Sequence, residues 1–190
     1  MFVVEVGFKL SKDLDYYDNA LKKNGLVNDF NCETHDIYYT KENLDGLTEV
    51  EMKNKCIRLR NVNYKDGYKV ENNLLKTLDI NYVKDYEIDE FEHKLNENGY
   101  HKVFDTKKKD HHYYKEGMNT KVQLQEIKDI GLLVYLDNSN YYNLPGEEQR
   151  RKLIDDLNSY GFNFKYTDLG LDKLRTLYYN KEMFSKNQNG

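Results

Sequence analysis

The sequence predicts an α+β fold whose sheet is mostly antiparallel. Segments in which apolar and polar residues alternate are more numerous than segments with helical periodicity. Several of these strand-like segments follow one another without an intervening helix, and their connections are short enough for hairpins. The regular alternation of strands and helices that builds parallel sheets is therefore not expected. A sheet with this many strands either packs against a second sheet or closes on itself.

Helix ends give the third observation, a short repeated pattern. ALKKNGL at 20–26, KLNENGY at 94–100 and DLNSYGF at 156–162 each have a leucine, a glycine four residues later and then an apolar residue. Glycine adopts the left-handed conformation that ends a helix, and the next residue folds back onto the last turn. The predicted helices cover about 11–24 with Ser11 as N-cap, about 89–98, a segment beginning at Pro145, and about 171–184.

Strands are predicted where the period changes to two. In the segment 4–10, three apolar residues alternate with Glu5, Gly7 and Lys9. Glycine weakens a strand, so its place between two charged residues on the polar face requires an explanation. The other predicted strands are 34–40, 54–60, 73–80, 102–114, 121–127 and 132–137.

Composition indicates one soluble, cytoplasmic domain. The chain has 190 residues, of which 38% are hydrophobic and 33% charged, and this is enough apolar material for one core. The net charge of -4 argues against a nucleic-acid partner, and no segment resembles a membrane span or a signal peptide. Cys32 and Cys56 lack metal-type spacing and are expected to be reduced thiols. The expected domain is 1–184, with a frayed tail at 185–190.

Basic residues recur at predicted strand positions: Lys9, Arg58, Arg60, Lys76, Lys107 and Lys109. Alternation places Arg58 with Arg60, and Lys107 with Lys109, on one face of their strands. A solvated sheet face explains any single strand, but the whole set exceeds what the protection of sheet edges requires. If the sheet closes and these faces point inward, the cations converge on a space suited to a polyphosphate.

Several strand motifs occur in a characteristic order. They are Glu5-x-Gly7-x-Lys9, then Asp36-Ile37-Tyr38, then Ile57-Arg58-Leu59-Arg60, then a lysine that is Lys76 or alternatively Lys65. NGYHKVFDTKKK and VQLQEIKDIGLLVYLD follow. The series, which covers nearly the whole chain, resembles the CYTH superfamily of class IV adenylyl cyclases and thiamine triphosphatases. In that family the corresponding strands read E-x-E-x-K, D-x-Y and L-R-x-R, and the cyclase branch continues with K-x-R, V-x-L-D and E-I-E.

The resemblance implies a triphosphate tunnel, that is, a closed or nearly closed antiparallel β-barrel with helices packed outside. Basic residues of the tunnel hold the triphosphate, and acidic residues hold Mg²⁺ or Mn²⁺ that bridge to phosphate oxygens. The residues that the resemblance assigns to phosphate binding are Lys9, Arg58, Arg60, Lys76, Lys107 and Lys109. The residues that it assigns to the metal are Glu5 and Asp137.

The acidic set is depleted, whereas the basic set is largely kept. Gly7 stands where the resemblance expects a second glutamate, Gln125 where it expects an aspartate, and Tyr135 where it expects the first glutamate of the closing pair. Glycine contributes no ligand, glutamine contributes no charge, and neutral tyrosine is a poor ligand for a hard cation.

Two functions therefore stay open. The first is a metal-dependent enzyme, cyclase-like or triphosphatase-like, that acts on a nucleoside or other organic triphosphate. The alternative is a catalytically inactive module that binds a nucleotide or polyphosphate. A third interpretation is a structural or interaction domain with a tyrosine-rich surface. No catalytic residue is identified, and the resemblance implies a homodimer.

Overall fold

The computed structural model describes residues 6–63, 67–71, 82–128 and 130–179. The chain divides into two compact units, each assembled from separate stretches of sequence. Unit 1 comprises 1–32 and 109–171, and unit 2 comprises 33–108 and 172–190. Two long strands continue from one unit into the other. The single domain expected over 1–184 stays a prediction.

Eight strands and five helices make up the described chain. In chain order they are β1 (Val6–Lys9), α1 (Leu14–Lys23), β2 (Val27–Thr40), α2 (Glu49–Lys55), β3 (Cys56–Val62), β4 (Gly67–Glu71), β5 (Tyr82–Lys84), α3 (Ile88–Glu97), β6 (His101–Tyr114), β7 (Thr120–Ile127), β8 (Gly131–Asn138), α4 (Gly146–Ser159) and α5 (173–179). None of the helices in these ranges has both the length and the apolar character that crossing a membrane would need.

The strands form one sheet in the order β1-β8-β7-β6-β2-β3-β4-β5. The resolved registers, β1 with β8, β7 with β8, β2 with β3, β3 with β4 and β4 with β5, are all antiparallel. The predicted α+β class and antiparallel sheet are therefore confirmed. Because β1 and β5 are the two ends of the order, hydrogen bonds between described residues do not close the sheet, which is consistent with the nearly closed form.

The repeated glycine pattern ends three helices as predicted. Gly25, Gly99 and Gly161 have φ angles of 82°, 82° and 96°, in the left-handed region. In each case the next residue donates its backbone N–H to the carbonyl of the leucine five residues before it. The donor–acceptor pairs are Leu26 to Leu21, Tyr100 to Leu95, and Phe162 to Leu157, at 3.1, 2.9 and 3.2 Å. Each helix therefore ends in a Schellman motif, in which the apolar residue covers the last turn.

Some helix and strand boundaries differ from the sequence-based expectation. The first helix begins after Asp13 rather than Ser11, because the Asp13 carboxylate accepts the Tyr16 N–H at 2.9 Å. The short helix α2 was not predicted, although Thr48 and Glu51 form a capping box at its start. Strand β4 was not predicted either, and the predicted strand 73–80 lies outside the described residues. Of the predicted last helix, 173–179 is described and helical.

The core of unit 1 lies between one sheet face and the helices α1 and α4. Alternate residues of three neighbouring strands supply the sheet side, namely Val6, Phe8, Val122, Leu124, Val134 and Leu136. Leu21 of α1 and Ile154 of α4 pack against them and are fully buried. This packing determines which side chains of β1, β7 and β8 point to the opposite face.

Unit 2 contains two smaller apolar clusters. Ile57 and Leu59 of β3 pack with Phe91 and Leu95 of α3 in one of them. The other contains Cys56, whose thiol pKa burial raises to about 11. Cys32 and Cys56 form no disulfide bond within the described chain, and the expectation of reduced thiols stays a prediction.

Candidate functional site

In unit 2, strand β3 separates apolar from basic side chains. Ile57 and Leu59 are fully buried against α3, so strand alternation places Arg58 and Arg60 on the other face, where both are half-buried. The antiparallel register sets Arg60 opposite Asp36 of β2, and Arg58 opposite Tyr38. The motifs D-x-Y and L-R-x-R therefore meet side by side in the sheet.

Asp36 is the centre of a buried ionic cluster. Its carboxylate is fully buried and accepts Nε and Nη2 of Arg60, both at 2.7 Å. It also accepts Nζ of Lys108, a side chain that is only 3% exposed, at 2.8 Å. Burial alone would raise the pKa of Asp36, but the hydrogen bonds and charges of Arg60 and Lys108 hold it at about 2. One carboxylate thus fixes two cations, and these three side chains carry a net positive charge.

Arg58 is held by a tyrosine that stays neutral. The buried Tyr38 hydroxyl hydrogen-bonds Arg58, and burial together with the charge of Asp36 raises the tyrosine pKa to about 12. Lys69 of β4 stands opposite Arg60 in the register and is exposed. Glu71 stands opposite Arg58, and its side chain lies outside the described part of the chain. The described face of unit 2 thus concentrates guanidinium and ammonium groups, which are suited to phosphate oxygens.

The lysines of β6 divide between its two faces. Lys107 and Lys109 are exposed, whereas Lys108 between them is buried against Asp36. The residue that this strand adds to the ionic cluster is therefore Lys108, whereas the sequence motifs indicated Lys107 and Lys109. Phosphate binding by Lys107 and Lys109 stays a prediction, as does that by Lys9, which is exposed on β1. Lys76 lies outside the described residues.

In unit 1, Tyr135 occupies the space beside Gly7. The two residues are directly opposite in the β1–β8 pair. A Cβ atom on Gly7 would lie 2.4 Å from Cε1 of Tyr135 and 2.8 Å from Cδ1, which is closer than real Cβ atoms approach. The carbonyl of Gly7 also accepts the backbone N–H of Leu171 at 2.9 Å. The glycine in VEVGFKL is explained by the aromatic ring that crosses it.

Gln125 and Asp110 form a buried polar pair near Cys32. Gln125 is 3% exposed and donates its amide to one oxygen of Asp110, which is 5% exposed. The Cys32 thiol lies 4.0 Å from the other Asp110 oxygen and 4.0 Å from Nε2 of His112. The amide in place of the expected aspartate therefore acts as a donor to an existing carboxylate.

The two adjacent histidines of β6 have different surroundings. His111 contacts Glu126 at 2.9 Å and Asn31 at 3.1 Å. His112 stacks on Phe30 with a centroid distance of 4.2 Å. Adjacent strand residues point to opposite faces, which accounts for the different partners of the two rings.

The described residues do not fit the divalent metal that the resemblance implies. Tyr135 covers the position of the missing glutamate, and the Gln125 amide is directed at Asp110. Asp137 accepts the Tyr142 hydroxyl on Oδ2 at 2.7 Å. Within the described ranges no group of three or more His, Cys, Asp or Glu side chains is placed to hold a metal ion. Glu5 lies outside those ranges, so a metal at Glu5 and Asp137 stays an untested expectation.

Comparison with known proteins supports the fold. No protein-family model and no curated protein matches the chain. Among solved structures, the PH1012 protein of Pyrococcus horikoshii OT3 has a TM-score of 0.57 at 16% identity and covers 85% of this chain and 92% of its own. A conserved hypothetical protein of Pyrococcus furiosus has a TM-score of 0.56 at 18% identity, with coverages of 84% and 91%. A "putative adenylate cyclase" of Vibrio parahaemolyticus has a TM-score of 0.52 at 16% identity, with coverages of 84% and 88%.

At these identities the likeness concerns the fold alone. It supports the CYTH-like fold that the ordered strand motifs implied. The chemistry of this chain has to be argued from its own side chains.

Proposed function

We propose that this chain binds a triphosphate-containing small molecule through the basic face of unit 2, without a resident metal ion. The observation that carries the proposal is the ionic cluster in which buried Asp36 holds Arg60 and Lys108. A guanidinium group fixed by a carboxylate is already ordered before an anion arrives, so less side-chain entropy is lost on binding.

The position of Arg58 and Arg60 favours a multiply charged anion. Both side chains are half-buried on one strand, two residues apart, and therefore project in the same direction. Phosphate oxygens take bidentate hydrogen bonds from guanidinium groups, and partial burial strengthens each contact. A chain of phosphates can engage both arginines at once. Phosphate binding by Lys9, Lys76, Lys107 and Lys109 stays a prediction that the resemblance alone supports.

The choice of a nucleoside triphosphate as first ligand has two sources. One is the resemblance of the strand motifs, and the other is the fold shared with a protein described as a "putative adenylate cyclase". That description concerns the other protein, and here it only decides which ligand is tested first. Thiamine triphosphate and inorganic triphosphate are the next candidates. The homodimer and the cytoplasmic location stay predictions.

Metal-independent binding is preferred to catalysis because the described acidic positions do not fit a metal site. Gly7, Gln125 and Tyr135 provide no carboxylate where the resemblance expects three. Two carboxylates hold Mg²⁺ only with help from phosphate oxygens and water. Cyclase-like or triphosphatase-like turnover with Mg²⁺ or Mn²⁺ is therefore the competing outcome of the experiment.

Calorimetry of ATP, thiamine triphosphate and inorganic triphosphate, in excess EDTA and again in Mg²⁺ or Mn²⁺, tests the proposal. Expected are similar affinities in both conditions and no release of cyclic nucleotide or phosphate. Arg58→Ala and Arg60→Ala should each weaken binding by about 1.5–3 kcal/mol, the usual loss for a charge-assisted hydrogen bond. Arg151→Ala, at an exposed arginine of α4, is the matched control and should bind like the wild type.

Two results would reject the proposal. A strict metal requirement together with turnover would show that the protein is a metal-dependent enzyme. Equal affinity of the control and of both unit 2 variants would show that the basic face does not hold the ligand.

A further inference from the structure

A cavity of about 390 Å³ lies within unit 1 and has no role in the function proposed above. Five of its lining residues are aromatic, and they are Phe30, His112, Tyr113, Tyr114 and Tyr135. The volume and this lining are typical of small-molecule sites, which combine apolar walls with a few polar groups. We refer to it as the aromatic cavity.

Contacts with neighbouring residues restrict three of the aromatic side chains that line the cavity. His112 and Phe30 stack with their planes 15° apart. The ring of Tyr135 lies across Gly7, where no side chain competes with it. Flat, ordered aromatic faces favour a planar aromatic guest, because stacking then costs little conformational entropy.

The lining also contains the carboxylate of Asp137. Asp137 lines the cavity, and its Oδ2 accepts the Tyr142 hydroxyl. Its Oδ1 is buried and has no hydrogen-bond partner among the described residues. The Asp137 carboxylate therefore keeps unused acceptor capacity, and its negative charge favours a ligand that brings an N–H group to the lining.

The charge of the lining excludes an anionic guest. Asp29 and Asp137 contribute two carboxylates against one ammonium group, from Lys121. Burial lowers the pKa of His112, which keeps its ring neutral near pH 7. The aromatic cavity is therefore slightly negative, and its chemistry differs from that of the basic face of unit 2.

We propose that the aromatic cavity binds a planar aromatic ring carrying a cationic or N–H-donating group, which stacks on the aromatic walls and donates to the Asp137 carboxylate. A metal ion is disfavoured because the walls are mostly aromatic. The inference does not depend on phosphate binding, since none of the groups that carry it belongs to unit 2.

Benzamidinium and benzoate are suitable paired probes, because both are planar and similar in size. Benzamidinium is a cation that donates hydrogen bonds, whereas benzoate is an anion that accepts them. Binding to the full chain can be followed by amide-proton NMR titration. We expect saturable binding of benzamidinium with shifts at residues of the aromatic cavity, and no binding of benzoate there. Adenosine, which carries an amino group and no phosphate, tests a neutral ring.

Asp137→Asn tests the role of the carboxylate, because it removes the charge while an amide oxygen can still accept the Tyr142 hydroxyl. We expect at least a tenfold weaker affinity for benzamidinium. Tyr135→Leu removes the stacking surface and should also weaken binding. Asp15→Asn makes the same chemical change at an exposed position of α1 and should have no effect. Amide spectra that retain the wild-type dispersion establish that each variant is folded.

The outcomes are separable from those of the triphosphate experiment. Wild-type protein that binds benzamidinium and triphosphate together, with neither displacing the other, supports an independent site. Equal binding of benzoate and benzamidinium, or full affinity in Asp137→Asn, would overturn the inference even if the basic face binds triphosphate as proposed.

Discussion

The Tyr135 ring lies where a side chain on Gly7 would have to be. The residues are directly opposite in the β1–β8 pair, and a Cβ on Gly7 would lie 2.4 Å from the tyrosine ring. Strand β1 is at one end of the strand order, and a bulky neighbour over a glycine is a known way to stabilise such an edge. The glycine at position 7 and the tyrosine at position 135 are therefore structurally coupled, since the large residue needs the small one.

This coupling predicts the result of a double-mutant cycle. Gly7→Ala should lower the free energy of unfolding by about 1–2 kcal/mol, because the added methyl group must displace the Tyr135 ring. In a Tyr135→Ala background the same change should cost at least about 1 kcal/mol less, as expected for two residues in contact. Urea unfolding of the four proteins measures both values. Equal losses in the two backgrounds would show that the ring does not restrict position 7.

The buried pair of Gln125 and Asp110 leads to a second prediction. Gln125→Asp restores the carboxylate of the V-x-L-D motif but places it against Asp110 and removes the amide donor. We expect the free energy of unfolding at pH 7.5 to fall by about 2 kcal/mol. The loss should shrink at pH 4.5, because protonation of one carboxyl group removes the repulsion.

Chemical unfolding at the two pH values measures this effect. Gln123→Asp, on the same strand face but less buried, is the matched control and should change stability less. If Gln125→Asp were as stable as the wild type at pH 7.5, Asp110 would not need the amide, and the lost aspartate could be restored without a second change.

Much of the fold could be predicted from the sequence because the helix-end pattern and the strand alternation pointed to the same arrangement of helices and strands. The leucine–glycine–apolar pattern identified three helix ends, since only glycine adopts the left-handed conformation at low cost. Alternation correctly placed Arg58 and Arg60 on one face of their strand, because Ile57 and Leu59 on the other face are both apolar. Helix α2 has only seven residues, too few for a periodicity to be visible.

Strand β6 shows why the site was harder to predict than the fold. Phe104 and Tyr113 are both buried, but an odd number of positions separates them, so alternation gives different answers when it is counted from each. Alternation counted from Phe104 selects Lys108, and alternation counted from Tyr113 selects Lys107 and Lys109. Strand alternation alone therefore cannot decide whether Lys108 or the pair Lys107 and Lys109 joins the ionic cluster. The available signal was Asp36, which needs a buried cation as partner.

The three lysines of β6 give a third prediction. Lys108→Ala should weaken triphosphate binding about tenfold, because the ammonium group fixed by Asp36 is lost from the basic face. Lys107→Ala and Lys109→Ala should each change the affinity less than twofold, since exposed charges are screened by solvent and salt. Calorimetry with one ligand at constant ionic strength compares the three variants. The reverse order of effects would restore the assignment that the resemblance gave.

The pKa of Asp36 leads to a fourth prediction, on acid stability. The folded-state pKa of about 2 lies below the ordinary value of 3.8. Ionised Asp36 therefore adds stability that is present above pH 4 and is lost as the pH falls from about 4 towards 2. A depression of this size corresponds to about 2 kcal/mol of unfolding free energy. The wild type should lose this amount over that range in addition to the contributions of other carboxylates.

Asp36→Asn separates the structural role of this carboxylate from its effect on the ligand. At pH 7 the variant should be less stable by about 3 kcal/mol, because Arg60 and Lys108 lose their shared buried partner. It should also have a flatter stability profile between pH 4 and 2. Its triphosphate affinity should also fall, since Arg60 and Lys108 are no longer ordered before the anion arrives. Urea unfolding across pH and calorimetry at pH 7 measure the two effects, with Asp15→Asn as the exposed control. A variant that is destabilised but binds triphosphate more tightly would mean that the charge of Asp36 opposes the anion more than Asp36 orders the arginine. A variant that keeps the wild-type acid profile would contradict the low pKa itself.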